Sequence, residues 1–473
     1  MSEHEPQPAP DLNEPAASVV STAPLTPVAE RERIAALDVL RGFALFGIFM
    51  VNMQFFAMPF MRAMFDPSMA DASALEQLSW AFVKVFFEYK FVTLFSLMFG
   101  MGLAVQLVRA QRAGRPFRAV YARRLIVLAL IGGAHVVLLW FGDILLFYAC
   151  IGTVLLLCIT LSARHLLMLS AAAFLIGVLL MTAFSALQVL ASTWEQPATA
   201  AHDVNNADDA EQSDGLSAPT DEETVAPEAA EPAPPLRGFD AMRAARFDPS
   251  QDVWVQAETT AFKEGTFLEA TLFRVIGYAF ALIAGLFGFF WHILAMFFLG
   301  AALVKLDFFS PRRKSWHIAM VAIALPIGLS IESLITWMHY RADFGFGWHM
   351  VPGVAMHEFG SVALALGYAG LICLLVSGGV LGALGRGLAC VGRMSLTNYL
   401  SQTVITTFLM YGWGLGWFGD VPRSQQIVIV FVVFAGQIVF SVFWLRLFSI
   451  GPMEWLWRTI TYLKLQPIIR RNA

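Results

Sequence analysis

An all-α, polytopic transmembrane helix bundle is the fold this sequence predicts, and three observations predict it. Of 473 residues, 58% are hydrophobic and only 14% charged, against about 45–50% apolar and roughly a quarter charged in an ordinary globular chain. The 41 Phe, 20 Met and 13 Trp exceed what one water-soluble core can hide. The apolar residues also fall into stretches long enough to cross a bilayer, about 20 residues each. A net charge of -4 excludes a basic nucleic-acid binder, and no nucleic-acid partner is expected.

Ten stretches of spanning length follow one another at 42–61, 82–108, 125–141, 144–161, 166–190, 284–304, 316–338, 357–379, 394–413 and 424–445. The sixth is preceded by apolar sequence from 272, too long for one upright span. It reads either as an interfacial helix followed by a span or as one tilted helix. An even number of spans puts both termini on one side. If that side is the cytoplasm, 21 of the 31 basic residues fall in inner loops, including Arg109, Arg112, Arg115, Arg118, Arg123 and Arg124. Enrichment of inner loops in Lys and Arg is the positive-inside rule. The lipid bilayer of the inner (plasma) membrane is therefore the expected setting.

Composition divides the chain further. Residues 1–32 read as a disordered cytoplasmic tail and 33–190 as an N-terminal five-span half. Residues 191–270 form an acidic extracytoplasmic loop, largely disordered, with 17 of the 35 acids. Within it, 237–270 carries Trp254, Phe262 and Phe267 and reads as a small amphipathic helix on the outer surface. Residues 271–465 form a C-terminal five-span half, and 466–473 a basic cytoplasmic tail. The cysteines 150, 158, 373 and 390 have no CxxC spacing, so no disulfide framework and no metal site is expected.

Polar residues in or beside apolar spans are costly and tend to face the bundle interior or an aqueous cavity. One group lies at the cytoplasmic ends: Asp38 and Arg41, the 109–124 arginines, and Arg393 with Ser395, Thr397, Asn398, Tyr399 and Gln402. Asp38 and Arg41 share a helical face and can pair, which holds a guanidinium ready for an anion. Ser395 is a candidate N-cap. A second group lies in the outer halves: Asn52, Gln54, Lys84, Glu88, Lys90, His135, Asp143 and Tyr148, with His292, His349, His357 and Glu358. His135 and Asp143 bracket a Trp-Phe-Gly turn. A carboxylate beside an imidazole is the usual general-base arrangement. Phe99-Gly100-Met101-Gly102 and glycines 132 and 133 read as close-packing positions.

Several long motifs then carry a resemblance. Ala36-Leu-Asp-Val-Leu-Arg-Gly-Phe-Ala-Leu-Phe-Gly-Ile, Phe91-Val-Thr-Leu-Phe-Ser-Leu-Met-Phe-Gly-Met-Gly, His135-Val-Val-Leu-Leu-Trp-Phe-Gly-Asp-Ile-Leu-Leu-Phe-Tyr-Ala, Gly392-Arg-Met-Ser-Leu-Thr-Asn-Tyr-Leu-Ser-Gln and Gly451-Pro-Met-Glu-Trp-Leu-Trp-Arg occur in that order. Together they resemble the YeiB-like family of bacterial membrane proteins of undefined function, from about residue 33 to 465 without the acidic loop. Asp38, Arg41, Gly42, Ala44, Leu45, Val51 and Asn52 are also similar in spacing to the first span of membrane-bound acetyltransferases such as heparan-α-glucosaminide N-acetyltransferase. That resemblance implies transfer of an acyl group from cytosolic acyl-CoA to an extracytoplasmic small-molecule or glycan acceptor. It implies no tightly bound cofactor, with acyl-CoA as donor substrate. The superfamily's histidine near the first span has no counterpart here, since no His follows Asn52 before His135.

Under this reading His135 and Asp143 are the catalytic candidates. Asp38, Arg41, Arg393 and Asn398 would bind the donor phosphates, and Asn52, Glu88 and Lys90 would position groups or stabilise an oxyanion. Two other classes stay open: a transporter of a small solute using the same buried groups, and a non-catalytic membrane scaffold or sensor.

Overall fold

The computed structural model describes residues 35–114, 117–211, 236–248, 251–345 and 347–469. The tail at 1–32 and the acidic runs between 212 and 235 lie outside the described residues. Among those described, the architecture is all-α, as the composition requires.

α1 (Ala35–Ala57) is followed by the short α2 (Phe60–Met64) and by α3 (Ala74–Phe86), which breaks at Phe87–Tyr89 before α4 (Lys90–Arg112). α5 (Arg118–Leu138), α6 (Leu145–Cys158) and α7 (Ala163–Glu211) complete the first half. Between α7 and the next apolar stretch lie α8 (Gly238–Ala244) and α9 (Asp252–Lys263), two helices where one was expected. They bury Trp254 and Phe262, whereas Phe267 stays outside, under the Arg274 guanidinium.

α10 (Phe267–Phe287) and α11 (Phe289–Lys305) meet at Gly288, so the long apolar stretch resolves into two helices rather than one tilted rod. Thr266 and Glu269 close a capping box at the start of α10. α12 (Lys314–Ala319) and α13 (Leu325–Arg341) are joined through a wide π turn at Met320–Ala324. Pro326 explains the widening, because it offers no N–H to the preceding turn and its ring crowds that turn's carbonyl. α14 (Met350–Ser377), α15 (Gly382–Arg393), α16 (Ser395–Met410), α17 (Arg423–Leu447) and the amphipathic α18 (Pro452–Tyr462) follow. Of the ten expected spans, seven fall on helical stretches long and apolar enough to cross a membrane, 144–161 and 284–304 fall on the shorter apolar α6 and α11, and 394–413 falls on α16, which is in neither group. The helix over 82–108 is interrupted at Phe87–Tyr89 and that over 316–338 at the π turn. Eight helical stretches are long and apolar enough to cross a membrane, with α6 and α11 as shorter apolar helices.

α1, α4 and α11 form the centre, while α7, α10, α13 and α17 leave most of their apolar surface outside, as lipid-facing helices do. Two glycine contacts set the central geometry. α4 and α11 touch backbone to backbone, since a Cβ at Gly100 would meet the Phe297 carbonyl and one at Gly300 the Leu97 carbonyl. α1 and α15 do the same at the arginine-rich end, with Gly42 on Leu388 and Gly392 on Asp38.

Candidate functional site

Two cavities open at opposite ends of α1. The one at the arginine-rich end, termed the inner cavity after the expected orientation, has about 260 Å³ and is lined by five arginines, Arg41, Arg109, Arg124, Arg393 and Arg458, against two carboxylates, Asp38 and Glu454. Those arginines come from α1, α4, α5, α15 and α18, so they converge only in the folded bundle. Asp38 and Arg41 form the expected pair at 3.3 Å. The Gly42 and Gly392 contacts bring the end of α15, with Arg393, alongside that pair. Arg124 lies over the Trp457 ring at 4.3 Å, and Trp457 Nε1 donates to the Arg124 carbonyl at 3.0 Å. The aromatic ring thereby fixes a guanidinium on the cavity wall without neutralising it.

Glu454 plays a structural part. Its carboxylate accepts from the Leu396 and Thr397 backbone N–H groups at 2.6 and 3.2 Å and from Thr397 Oγ1 at 2.6 Å. It caps α16 from a distant helix, where Ser395 had been expected to serve; Ser395 is instead the first helical residue. Burial pushes the Glu454 carboxyl above its usual range, and the same hydrogen bonds pull it back. Deeper in, the walls become aromatic and hydroxylic, with Phe95, Phe99, Tyr148 and Tyr399. Tyr148 shares a 2.6 Å hydrogen bond with Ser96.

His135 and Asp143 come together as their spacing allowed. Nδ1 lies 2.9 Å from the Asp143 Oδ2, an ion-pair contact without aligned hydrogen-bond geometry, and Nε2 is 3.0 Å from Thr403 Oγ1. The other Asp143 oxygen caps α6 through the Leu146 N–H at 2.8 Å. Neither residue lines either of the two cavities; Tyr399, which lines the inner one, has its ring 5.4 Å from that of His135. Thr403 carried no signal in the sequence beyond its place in a polar span.

The outer cavity, of about 250 Å³, is lined by Gln54, Asp66, Trp80, Lys84, Glu88, Tyr89, His339, His357, Glu358, Arg423 and Gln426 among apolar side chains. Lys84 pairs with Glu88 at 2.9 Å. Arg423 bridges Asp66 at 3.2 Å and Gln54 Oε1 at 3.0 Å. Behind the wall, Lys90 pairs with Glu332 at 2.8 Å, both side chains fully buried, and donates to the Lys84 carbonyl at 2.7 Å. Glu332 also faces His357 Nδ1 at 2.9 Å. His292 joins Glu358 at 2.5 Å and Thr93 at 2.7 Å. Tyr89 sits at φ 67, a left-handed conformation unusual for a bulky residue, between Glu88 and Lys90.

The sequence-derived candidates therefore divide. Asp38, Arg41 and Arg393 meet in the inner cavity; Glu88 lines the outer one, with Lys90 one layer behind. Asn398 lies away from both: its amide donates to Ser441 and Met394 at 3.0 Å, within a polar ladder to α17 that also joins Gln402 and Gln437. Asn52 lines neither cavity. Glu332 is not among those candidates, although a lone carboxylate in the apolar span 316–338 is a visible signal. Arg423 and Asp66 gave none, because only the fold joins them. Among the described residues no cluster of His, Cys, Asp and Glu is arranged to hold a metal ion.

The cavities approach each other along shared helices. On α1 the inner one ends at Ile48 and the outer one begins at Met50; at α4 the corresponding residues are Phe95 and, immediately before its first turn, Tyr89. At a rise of ~1.5 Å per residue, these gaps are about 3 and 9 Å along the helix axes.

The family described as "Protein of unknown function (DUF418)" matches residues 303–464. The chain is 30% identical over 467 residues to the uncharacterized protein YxaH of Bacillus subtilis (strain 168), covering 95% of this chain and 99% of that protein. It is 29% identical over 456 residues to the uncharacterized protein YeiB of Escherichia coli (strain K12), covering 93% and 100%. A third relative, an uncharacterized 39.9 kDa protein of Bacillus acidopullulyticus, matches at 33% over 125 residues, or 26% of this chain and 34% of that one. No solved structure matches.

Proposed function

The chain belongs to the family of multi-span membrane proteins that includes YxaH and YeiB, and we propose that it is a transmembrane acyltransferase, taking an acyl group from a cytosolic acyl-CoA and passing it to an acceptor from the opposite side of the plasma membrane. The inner cavity carries the reading. Five arginines against two carboxylates make it an anion site. Its depth turns from guanidinium to aromatic and hydroxyl groups, which suits a ligand with a polyanionic head and a slender, less polar arm. Arg41, held by Asp38, and Arg124, held by Trp457, would grip phosphates through fixed donors. The first-span pattern shared with membrane-bound acetyltransferases includes Asp38 and Arg41, which line this cavity. The His135–Asp143–Thr403 group would hold Tyr399 at the cavity's deep end.

The test is donor binding by the purified protein in detergent. Acetyl-CoA should raise the melting temperature in a saturable way, and Arg41→Ala and Arg124→Ala should each lose that response while remaining folded. A protein indifferent to acetyl-CoA and longer acyl-CoAs at millimolar concentration would defeat the proposal.

A second reading, transport of a small solute, is favoured by one observation: two cavities at opposite ends of α1 flank the fully buried Lys90–Glu332 pair. It requires solute flux in proteoliposomes without an acyl donor. Flux with no acyl-CoA response would replace the first reading with this one.

A further inference from the structure

The outer cavity differs in kind from the inner one. Every carboxylate and primary cation on its wall already has a partner: Lys84 with Glu88, Arg423 with Asp66, and Glu358 with His292. What the wall offers is a dense mix of donors and acceptors, including Gln54 and Gln426, beside the rings of Trp80 and Phe344, which meet edge to face at 5.0 Å. An ion entering here would have to compete with partners these groups already hold, whereas a neutral molecule with several hydroxyls can bond to the same wall without separating a pair. A wall with aromatic faces next to paired polar groups suits a molecule with both C–H faces and hydroxyl edges.

Among the residues that line this cavity, one buried polar atom has no hydrogen-bond partner. His357 lines the cavity with Nδ1 held by Glu332, and its Nε2 is buried with no hydrogen-bond partner among the described residues. Buried ring nitrogens are rarely left unpaired unless a ligand, water or proton completes them. Glu332 fixes the ring, since Lys90 at 2.8 Å and Ser361 at 3.3 Å hold its carboxylate in turn. The strained Tyr89 packs its ring 5.3 Å from that of His357 and 5.0 Å from that of His292. Strain of this kind persists where surrounding structure over-determines it, and it concentrates at ligand sites. By contrast both ring nitrogens of His292 are engaged.

We infer that the outer cavity is a binding site for a neutral, hydroxyl-bearing molecule of about monosaccharide size, and that His357 Nε2 accepts the proton of one of its hydroxyls. The binding claim stands by itself; the chemical step rests on the acyltransferase reading. In that step the acceptor oxygen bonds to the thioester carbonyl carbon and the C–S bond breaks. The hydroxyl proton passes to His357 Nε2 and from there to the departing CoA thiolate, so an ester and free CoA thiol result. Glu332 is the positioning residue that keeps Nε2 turned to the acceptor.

The experiment uses the full-length protein in detergent and a probe set of D-glucose, methyl glucoside and glycerol, with sodium acetate and tetramethylammonium chloride as charged controls. At least one neutral polyol should raise the melting temperature saturably, and the ions should not. His357→Gln should weaken that polyol at least ~10-fold, the order expected when a buried polar partner is lost. Its response to acetyl-CoA should be retained; Arg41→Ala should show the opposite pattern. Polyol-dependent release of CoA should fall by ~100-fold or more in His357→Gln. Preference for acetate or tetramethylammonium, or an unchanged polyol affinity in His357→Gln, would overturn the inference. A polyol response that depends on His357 without any acetyl-CoA response would keep this site and remove the donor reading, so the two failures are distinguishable.

Discussion

Replacing either member of the Lys90–Glu332 pair measures how much of the fold rests on charge inside the membrane. Both side chains are fully buried and 2.8 Å apart. At an effective dielectric near 20, two unit charges at that distance attract by about 6 kcal/mol. Desolvation offsets most of that in the intact pair, so the pair is worth far less than its attraction. Removing one partner strands the other and costs about 3–5 kcal/mol. The two single variants should not be equal. In Lys90→Met, Glu332 keeps His357 Nδ1 at 2.9 Å and Ser361 Oγ at 3.3 Å, which places the loss near 3 kcal/mol. In Glu332→Gln, the ammonium keeps the Lys84 carbonyl at 2.7 Å and no carboxylate within ion-pair distance, which places it near 5 kcal/mol. The double variant removes both charges and should cost less than the sum by about 2 kcal/mol or more. Equilibrium unfolding in mixed detergent micelles, followed by tryptophan fluorescence, gives all four corners of the cycle. Single losses below ~1 kcal/mol, or additivity within ~0.5 kcal/mol, would refute the reasoning.

Three further outcomes follow from the same geometry. Glu258, on α9, accepts the Phe60 N–H at 3.1 Å, and burial pushes its carboxyl up from 4.5 to about 7 despite that bond. Because its folded value is raised, its contribution is fully present below pH 4.5 and is lost as the pH climbs through about 7. Melting temperature should fall across that window in the wild type, and Glu258→Gln should flatten the slope, with a difference of at most about 3 kcal/mol at pH 8. Gly42→Ala would drive a Cβ into the Leu388 carbonyl; a loss of about 1–3 kcal/mol in micelle unfolding is expected, together with a weaker acetyl-CoA response. Glu454→Ala removes the cap of α16 and should cost about 1–2 kcal/mol, read as faster amide exchange confined to residues 395–398.

Much of the fold was legible because lipid imposes a simple rule: backbone groups must be satisfied within each apolar segment, so long apolar runs become helices. Seven of the ten expected spans fall on spanning-length apolar helical stretches for that reason. The division of 272–304 was open in the sequence and closed by Gly288, where α11 turns to lie against α4. Asp38 with Arg41, and His135 with Asp143, were legible because neighbours on one helix or across one turn have little freedom. Asn398 shows the limit of that logic. It stands in a polar motif beside Arg393, yet its amide faces α17, a choice made by which side of α16 meets the cavity.

The sequence by itself determined a membrane-embedded helical bundle, the helices that build it, and the short-range pairs at the mouth of the first span. Tertiary structure alone decided that Arg41, Arg124 and Arg458 share a wall, that Glu332 reaches His357 and Lys90, and that Glu454 caps a helix 58 residues away. The physical reason is range. Helix formation and insertion depend on each segment's own apolar surface, while a site of paired charges depends on which faces of distant helices meet, and glycine contacts such as Gly42 on Leu388 set that meeting by letting backbones touch.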